Sequence, residues 1–154
     1  MSEQEIVRDE HFLEMLKIRG KRMIEDHGLG AHLGLKLTEL NYGSCTIEVE
    51  MGEHLYNPRQ EVHGGALFTL ADVAAGYAAV TLGYNVTTVN TDFQYLRAGK
   101  NTKKIICKGS VIKSGKTMVW TKADVFDQDD RHLCTGTLLY YRLAPFRLED
   151  IQED

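Results

Sequence analysis

Asp72 is the lone acid in residues 64–82, GGALFTLADVAAGYAAVTL, a stretch apolar on nearly every face of a helix. An ionised carboxylate seldom sits in such a setting without a partner or a task. The chemistry open to it is that of a tuned carboxylate, since desolvation in an apolar setting raises the pKa and leaves the ionised form more reactive. The alternative is structural: capping a loop or pairing with Arg97. Upstream, Asn57-Pro58-Arg59-Gln60-Glu61-Val62-His63 leads into Gly64-Gly65 at the start of the same helix. Two glycines there leave backbone N–H groups uncovered, at the end where the helix dipole favours negative charge, and that suits an oxyanion hole. They would equally let the helix pack close to a strand, and His63 is equally at home as a satisfied polar residue.

These two features do not meet within one chain. Eight residues separate Gly64 from Asp72, about 12 Å along a helix that rises roughly 1.5 Å per residue. For one carbonyl to reach both, the acid must come from one copy and the N–H from another, with two helices passing each other about a two-fold axis. A shared reaction therefore requires a dimer.

The elements that must position these groups read as follows. Asp9 to His27 has apolar residues at helical spacing among charged ones, an amphipathic helix ended near Gly28 and Gly30. Leu33 to Leu40 and Cys45 to Glu50 read as two strands around the turn Asn41 to Ser44. After the loop His54 to Val62 comes the apolar helix, on which Thr69, Asp72 and Gly76 at i, i+3 and i+7 form one narrow non-apolar stripe. Four strand-like runs follow: Val86 to Leu96, Lys103 to Lys113, Thr117 to Asp127 and His132 to Leu143. The breaks at Ala98 to Asn101, Ser114 to Lys116 and Gln128 to Arg131 each read as a hairpin turn. Consecutive hairpins and one long apolar helix predict an α+β fold, an antiparallel sheet wrapped around a central helix. Residues 1–30 are then an N-terminal helical decoration, 31–144 the core and 145–154 an acidic, frayed tail of a single domain spanning 1–154.

Composition narrows the functions. With 26% charged residues and a formal net charge of −4, the chain offers no broad basic surface for nucleic acid. Cys45, Cys107 and Cys134 lack CxxC spacing and read as reduced, buried thiols of a cytoplasmic protein. The opening residues MSEQEIVRDEHF show no signal peptide, and Asp72 makes a membrane span through residues 64–82 expensive. Ser44, Ser110, Ser114 and the cysteines lack a nucleophile-elbow context. The six histidines lack metal-ligand spacing, so no metal is expected.

Asn57, then His63-Gly64-Gly65 six residues on, then Asp72 nine residues after the histidine within LAD, together resemble the hotdog-fold thioesterases of the phenylacetyl-CoA thioesterase group. The resemblance covers roughly Leu33 to Leu143. It implies a hotdog fold and hydrolysis of an acyl-coenzyme A thioester to free acid and coenzyme A, with no cofactor beyond the coenzyme A of the substrate. It further implies that the Gly64 N–H receives the thioester oxygen and that Asp72 of the facing subunit is the base or nucleophile. Asn57 would place the water or thioester, His63 would brace the loop, and Thr88 would stand near the water, with Asn90 or Thr91 as replacements. Gly65, Arg59, Arg97, Ser114, Gly115 and Lys116, with Lys100, Lys103 and Lys113, are the candidate coenzyme A contacts. Phe68, Tyr77, Tyr84 and Phe93 are candidates to line the acyl pocket. The assembly implied is a homodimer that pairs into a dimer of dimers, without a nucleic-acid or membrane partner.

Two other functions fit the same scaffold: an acyl-CoA-binding domain without turnover, and an acyl-thioester hydratase or dehydratase. The first has no need of an acid at position 72. The second calls for a histidine and acid at the reacting carbons, a part for which His63 is the candidate.

Overall fold

The computed structural model describes residues 9–146; residues 147–154, most of the expected acidic tail, lie outside them, as do residues 1–8. Helix α1 spans Glu10–Glu25 and starts where Asp9 caps it, its carboxylate accepting from Phe12 N at 2.9 Å. Phe12, Leu16, Gly20 and Ile24 recur every four residues and form its buried face. A second, short helix α2 covers Gly28–Leu33, so Gly30 lies inside a helix rather than ending one. Gly34 closes α2 in the left-handed region at φ 75°, and strand β1 begins only at Lys36, not at Leu33 as the apolar pattern suggests.

The remaining elements are β1 Lys36–Asn41, β2 Ser44–Glu50, helix α3 Gly64–Val80, β3 Tyr84–Tyr95, β4 Lys104–Ser114, β5 Met118–Asp127 and β6 His132–Pro145. A short 3-10 turn, Glu53–Leu55, precedes α3. All pairings are antiparallel, in the order β1-β2-β4-β5-β6-β3. The hairpins expected between β1 and β2, β4 and β5, and β5 and β6 form. The one expected at Ala98 to Asn101 does not. β3 lies at the far edge beside β6, and the chain after it crosses the end of the sheet to reach β4. That crossing is pinned by Leu96 N and Arg97 N donating to Leu133 O, and by Val62 N donating to Gly99 O. Both neighbours would be antiparallel, so alternation along β3 carries no information about which one it takes.

α3 lies against the sheet through small residues. Ala66, Leu67, Leu70, Ala71, Ala74, Ala75, Ala78 and Ala79 are buried, and Ile47, Ile105, Cys107, Val119, Val125 and Leu138 are buried on the sheet. Contact is closest at Gly109 on β4: a Cβ there would fall 2.4 Å from Ala74 C and O. The opposite side of α3, along Gly65, Phe68, Thr69, Asp72, Val73 and Gly76, is covered only partly or not at all, so the helix is not buried all round within the chain. β3 beside it is a twelve-residue edge strand that is mostly exposed.

Because the groups facing Gly109 are backbone, they cannot move aside as a side chain would. Gly109→Ala is expected to destabilise the fold by about 3 kcal/mol, read as a lower midpoint in urea unfolding, whereas Ser110→Ala on the neighbouring position should change it by less than about 0.5 kcal/mol.

Candidate active site on the open face of the central helix

Two hydroxyls converge on Asp72. Thr88 Oγ1 donates to Asp72 Oδ1 at 2.9 Å, and Tyr140 OH shares its one proton between the same oxygen at 2.9 Å and the Asp72 carbonyl at 2.8 Å. The sheet aligns them, for Thr88 on β3 and Tyr140 on β6 are direct cross-strand partners. Immediately after Thr88 the register slips by one, Val89 being the extra residue before Asn90 meets Leu139. Such a bulge changes which residues face the helix, and beyond it Thr91 and Phe93 pair with the inward positions Leu138 and Gly136. Asn90 and Thr91 make no hydrogen bond to Asp72. Asp72 is half-buried, and its Oδ2 has no donor among the described residues. Arg97 is exposed and does not pair with it.

Tyr140 has no counterpart in the sequence reading. Its signal was parity: it alternates with Leu138 on the buried face of β6, and a buried phenol needs a partner. Burial raises its pKa well above the usual phenol range, and the adjacent Asp72 charge and hydrogen bond add to that shift. The hydroxyl is therefore a permanent donor at any working pH.

At the start of α3, His63 is the N-cap. Its Nδ1 accepts from Gly65 N at 2.9 Å, which fixes the tautomer with Nδ1 unprotonated. The Gly65 N–H is thereby occupied, while the Gly64 N–H has no acceptor among the described residues. The Gly64 carbonyl accepts from Tyr95 OH at 3.0 Å, and a Cβ on Gly64 would sit 3.2 Å from the Tyr95 ring. Both observations make this a crowded, pinned turn. The loop before it is organised by Asn57, whose Oδ1 accepts from Arg59 N at 2.9 Å and Glu61 N at 3.2 Å. Gln60 sits there at φ 59°, in the left-handed region. Glu61 is held by Arg59 at 3.1 Å and Lys100 at 3.5 Å, and the Arg59 hydrogen bond leads in lowering its pKa.

The basic candidates do not gather in one place. Arg59, Lys100 and Lys103 lie at the end of the sheet where α3 begins, tied through Val62 N to Gly99 O and Met51 N to Lys103 O. The turn holding Ser114, Gly115 and Lys116, with Lys113, lies at the other end. There Thr81 after α3 accepts from Gly43 N, and Gly43 O accepts from Val111 N. The ten residue steps along the strand from Lys103 to Lys113 span about 33 Å, so a single chain cannot offer both groups to one nucleotide. Within the turn, Gly115 N donates to Met118 O at 2.8 Å, and Ser114 Oγ is bonded by Arg142.

The aromatic candidates also divide. Phe68 on α3 meets Phe93 on β3 edge-on at 5.5 Å, and Phe93 meets Tyr95 at 5.0 Å, which makes an aromatic row beside the helix start. Tyr77 instead lies under α1, within 2.9 Å of where a Cβ on Gly20 would be, and Tyr84 lies under the Arg142 guanidinium at 4.5 Å. Cys45, Cys107 and Cys134 are free and buried. Among the described residues no three His, Cys, Asp or Glu side chains converge as a metal site, and no helix is long and apolar enough to cross a membrane.

Residues 60–134 match the thioesterase superfamily. A candidate esterase of Halobacterium salinarum is 30% identical over 127 residues, covering 73% of this chain and 83% of the relative. The acyl-coenzyme A thioesterase PaaI of Escherichia coli is 27% identical over 94 residues, 61% of this chain and 67% of that protein. The solved E. coli PaaI structure superposes with a TM-score of 0.79 at 20% identity, over 87% of this chain and 97% of that one, and so shares the hotdog fold. A hypothetical thioesterase of Streptococcus pneumoniae, solved with coenzyme A, gives a TM-score of 0.70 at 25% identity over 73% and 88% of the two chains.

Loss of the His63 cap should be visible by itself. His63→Ala is expected to cost about 1 kcal/mol in urea unfolding, and to speed hydrogen exchange at the Gly65 amide while leaving that of mid-helix amides such as Ala74 in step with global stability.

Proposed function

The chain belongs to the thioesterase superfamily, and on that premise we propose that it hydrolyses an acyl-coenzyme A thioester to the free acid and coenzyme A, with each site shared between two protomers. The observation that carries the reading is the pair of hydroxyls on one oxygen of Asp72. With Oδ1 pinned by Thr88 and Tyr140, the carboxylate keeps one orientation and Oδ2 is left to hold a water. That water attacks the thioester carbonyl carbon as its proton passes to Asp72. The carbonyl oxygen gains charge and is met by the Gly64 N–H of the facing protomer, at the positive end of that protomer's α3. The carbon–sulfur bond then breaks, the thiolate leaves with its electron pair, and it takes up a proton to give coenzyme A. No resident cofactor or metal enters the scheme.

A dimer is part of the proposal because Asp72 and Gly64 of one chain are held about 12 Å apart on one helix. The mostly exposed β3 edge and the uncovered side of α3 are adjacent, and together they offer the surface on which a second copy would dock. A dimer would also bring the Ser114 to Lys116 end of one chain towards the Arg59 and Lys100 end of another, where together they could receive the nucleotide phosphates. Asn57 contributes its remaining amide group to this site, since its oxygen is engaged in the loop. The hydratase reading is disfavoured by His63, whose Nδ1 is engaged by the Gly65 amide. A cytoplasmic setting agrees with three cysteines that are all free.

The test is a panel of aliphatic and aromatic acyl-CoAs followed with a thiol-trapping dye. Wild type should release thiol, and Asp72→Ala should stay folded yet lose at least about a hundredfold in kcat; an undiminished rate would remove Asp72 from the mechanism. Loss of enoyl absorbance with crotonyl-CoA would instead mark a hydratase.

The shared site has its own test. Gly64→Pro deletes the N–H while keeping a residue suited to the first helical position, and should be inactive by itself. Co-assembly of Gly64→Pro with Asp72→Ala chains should regain activity well above either parent, because one site of the mixed dimer is intact. A mixture as inactive as its components would overturn the two-protomer site.

A further inference from the structure

Helix α1 lies outside the part of the chain that carries the family resemblance, yet it forms one wall of a groove of about 150 Å³. Leu16, Arg19, Gly20 and Met23 of α1 line it together with Tyr77 and Val80 of α3, Val86 of β3 and Phe146. The groove lies near Asp72 along two elements at once. On α3, Asp72, Gly76 and Val80 follow at i, i+4 and i+8, one stripe about 12 Å long. On β3, Val86 and Thr88 are two residues apart and so share the helix-facing side, about 7 Å from one another. Gly76 lies between them, its missing Cβ leaving room for the Tyr140 side chain, whose nearest atoms stand 3.4 to 3.6 Å from that place. α1 is held down by Gly20, which lets the Tyr77 ring come within 2.9 Å of where a Cβ would be.

We infer that this groove receives the apolar end of the acyl group, so that Met23 on α1 and Val80 on α3 determine how long an acyl chain the enzyme accepts. The inference rests on the thioesterase reading for its occupant. Its walls are mainly aliphatic and aromatic, with Arg19 and Asn85 also lining it, and burial of each methylene against the apolar part is favourable. A cavity of about this volume admits a benzene ring, which sets the fitted portion at roughly six carbons. Medium-length acyl groups are therefore the preferred class, and palmitoyl is too long to be enclosed. Arg19 does not oppose this use, because its guanidinium lies over the Phe146 ring at 5.3 Å.

Two substitutions push the preference in opposite directions. Val80→Phe fills the groove, and the ratio of kcat/KM for octanoyl-CoA to that for acetyl-CoA should fall at least about tenfold. Met23→Ala, at a rim position that is 43% exposed and therefore of little consequence for folding, should raise the palmitoyl to octanoyl ratio at least about threefold. Binding supplies a readout that needs no turnover: octanoyl-CoA titrated calorimetrically into Asp72→Ala should bind about tenfold more weakly once Val80→Phe is added. Ratios and affinity that stay within about twofold in both variants, with wild type active, would overturn the groove and leave the hydrolase standing. Affinity that follows Val80 in a protein that turns over none of the panel would support the groove and overturn the hydrolase.

Discussion

The architecture depends on one close contact, the backbone of α3 at Ala74 against Gly109 of β4. A helix that near a sheet has no room for large side chains beneath it, which is why alanines dominate its buried face. Small side chains contribute little apolar area each, so their advantage is proximity and dense packing rather than bulk. Seating the helix this low also places its other side level with the inward face of β3. There a carboxylate at the middle of the helix can meet hydroxyls from two strands.

The geometry around Asp72 is accordingly a product of register. Thr88 and Tyr140 face each other across β3 and β6, and the bulge at Val89 keeps both the hydroxyl before it and the aromatic row after it on the helix side. Without that extra residue, alternation through Thr88 would have turned Phe93 and Tyr95 outward. Tyr95 in turn bonds the carbonyl of Gly64, so the same strand braces both the acid and the turn that carries the open amide.

Much of this was written plainly in the residues. The length of α3 and the positions of β4, β5 and β6 follow from periodicity and punctuation. Thr88 reaches the Asp72 carboxylate, whereas Tyr140 was invisible because nothing local distinguishes it from Tyr141 until the inward face of β6 is known. The misplaced hairpin after β3 and the scattering of Arg59 and Lys116 to opposite ends have a common origin. Both depend on which strands are neighbours, a non-local choice that alternating patterns do not encode. The seat of α1 over Tyr77 is non-local in the same way, since it is fixed by tertiary contact at Gly20.

The three cysteines, scattered over β2, β4 and β6, share one physical situation. Burial pushes the Cys45 and Cys134 thiols up to about 12 and the Cys107 thiol well above its ordinary value. Thiolate is the form that attacks electrophiles and disulfides, so the folded protein is chemically mute toward a sulfhydryl reagent. Any colour such a reagent develops comes from sulfur that arrived with a ligand, and a signal from the polypeptide itself reports that the sheet has come apart.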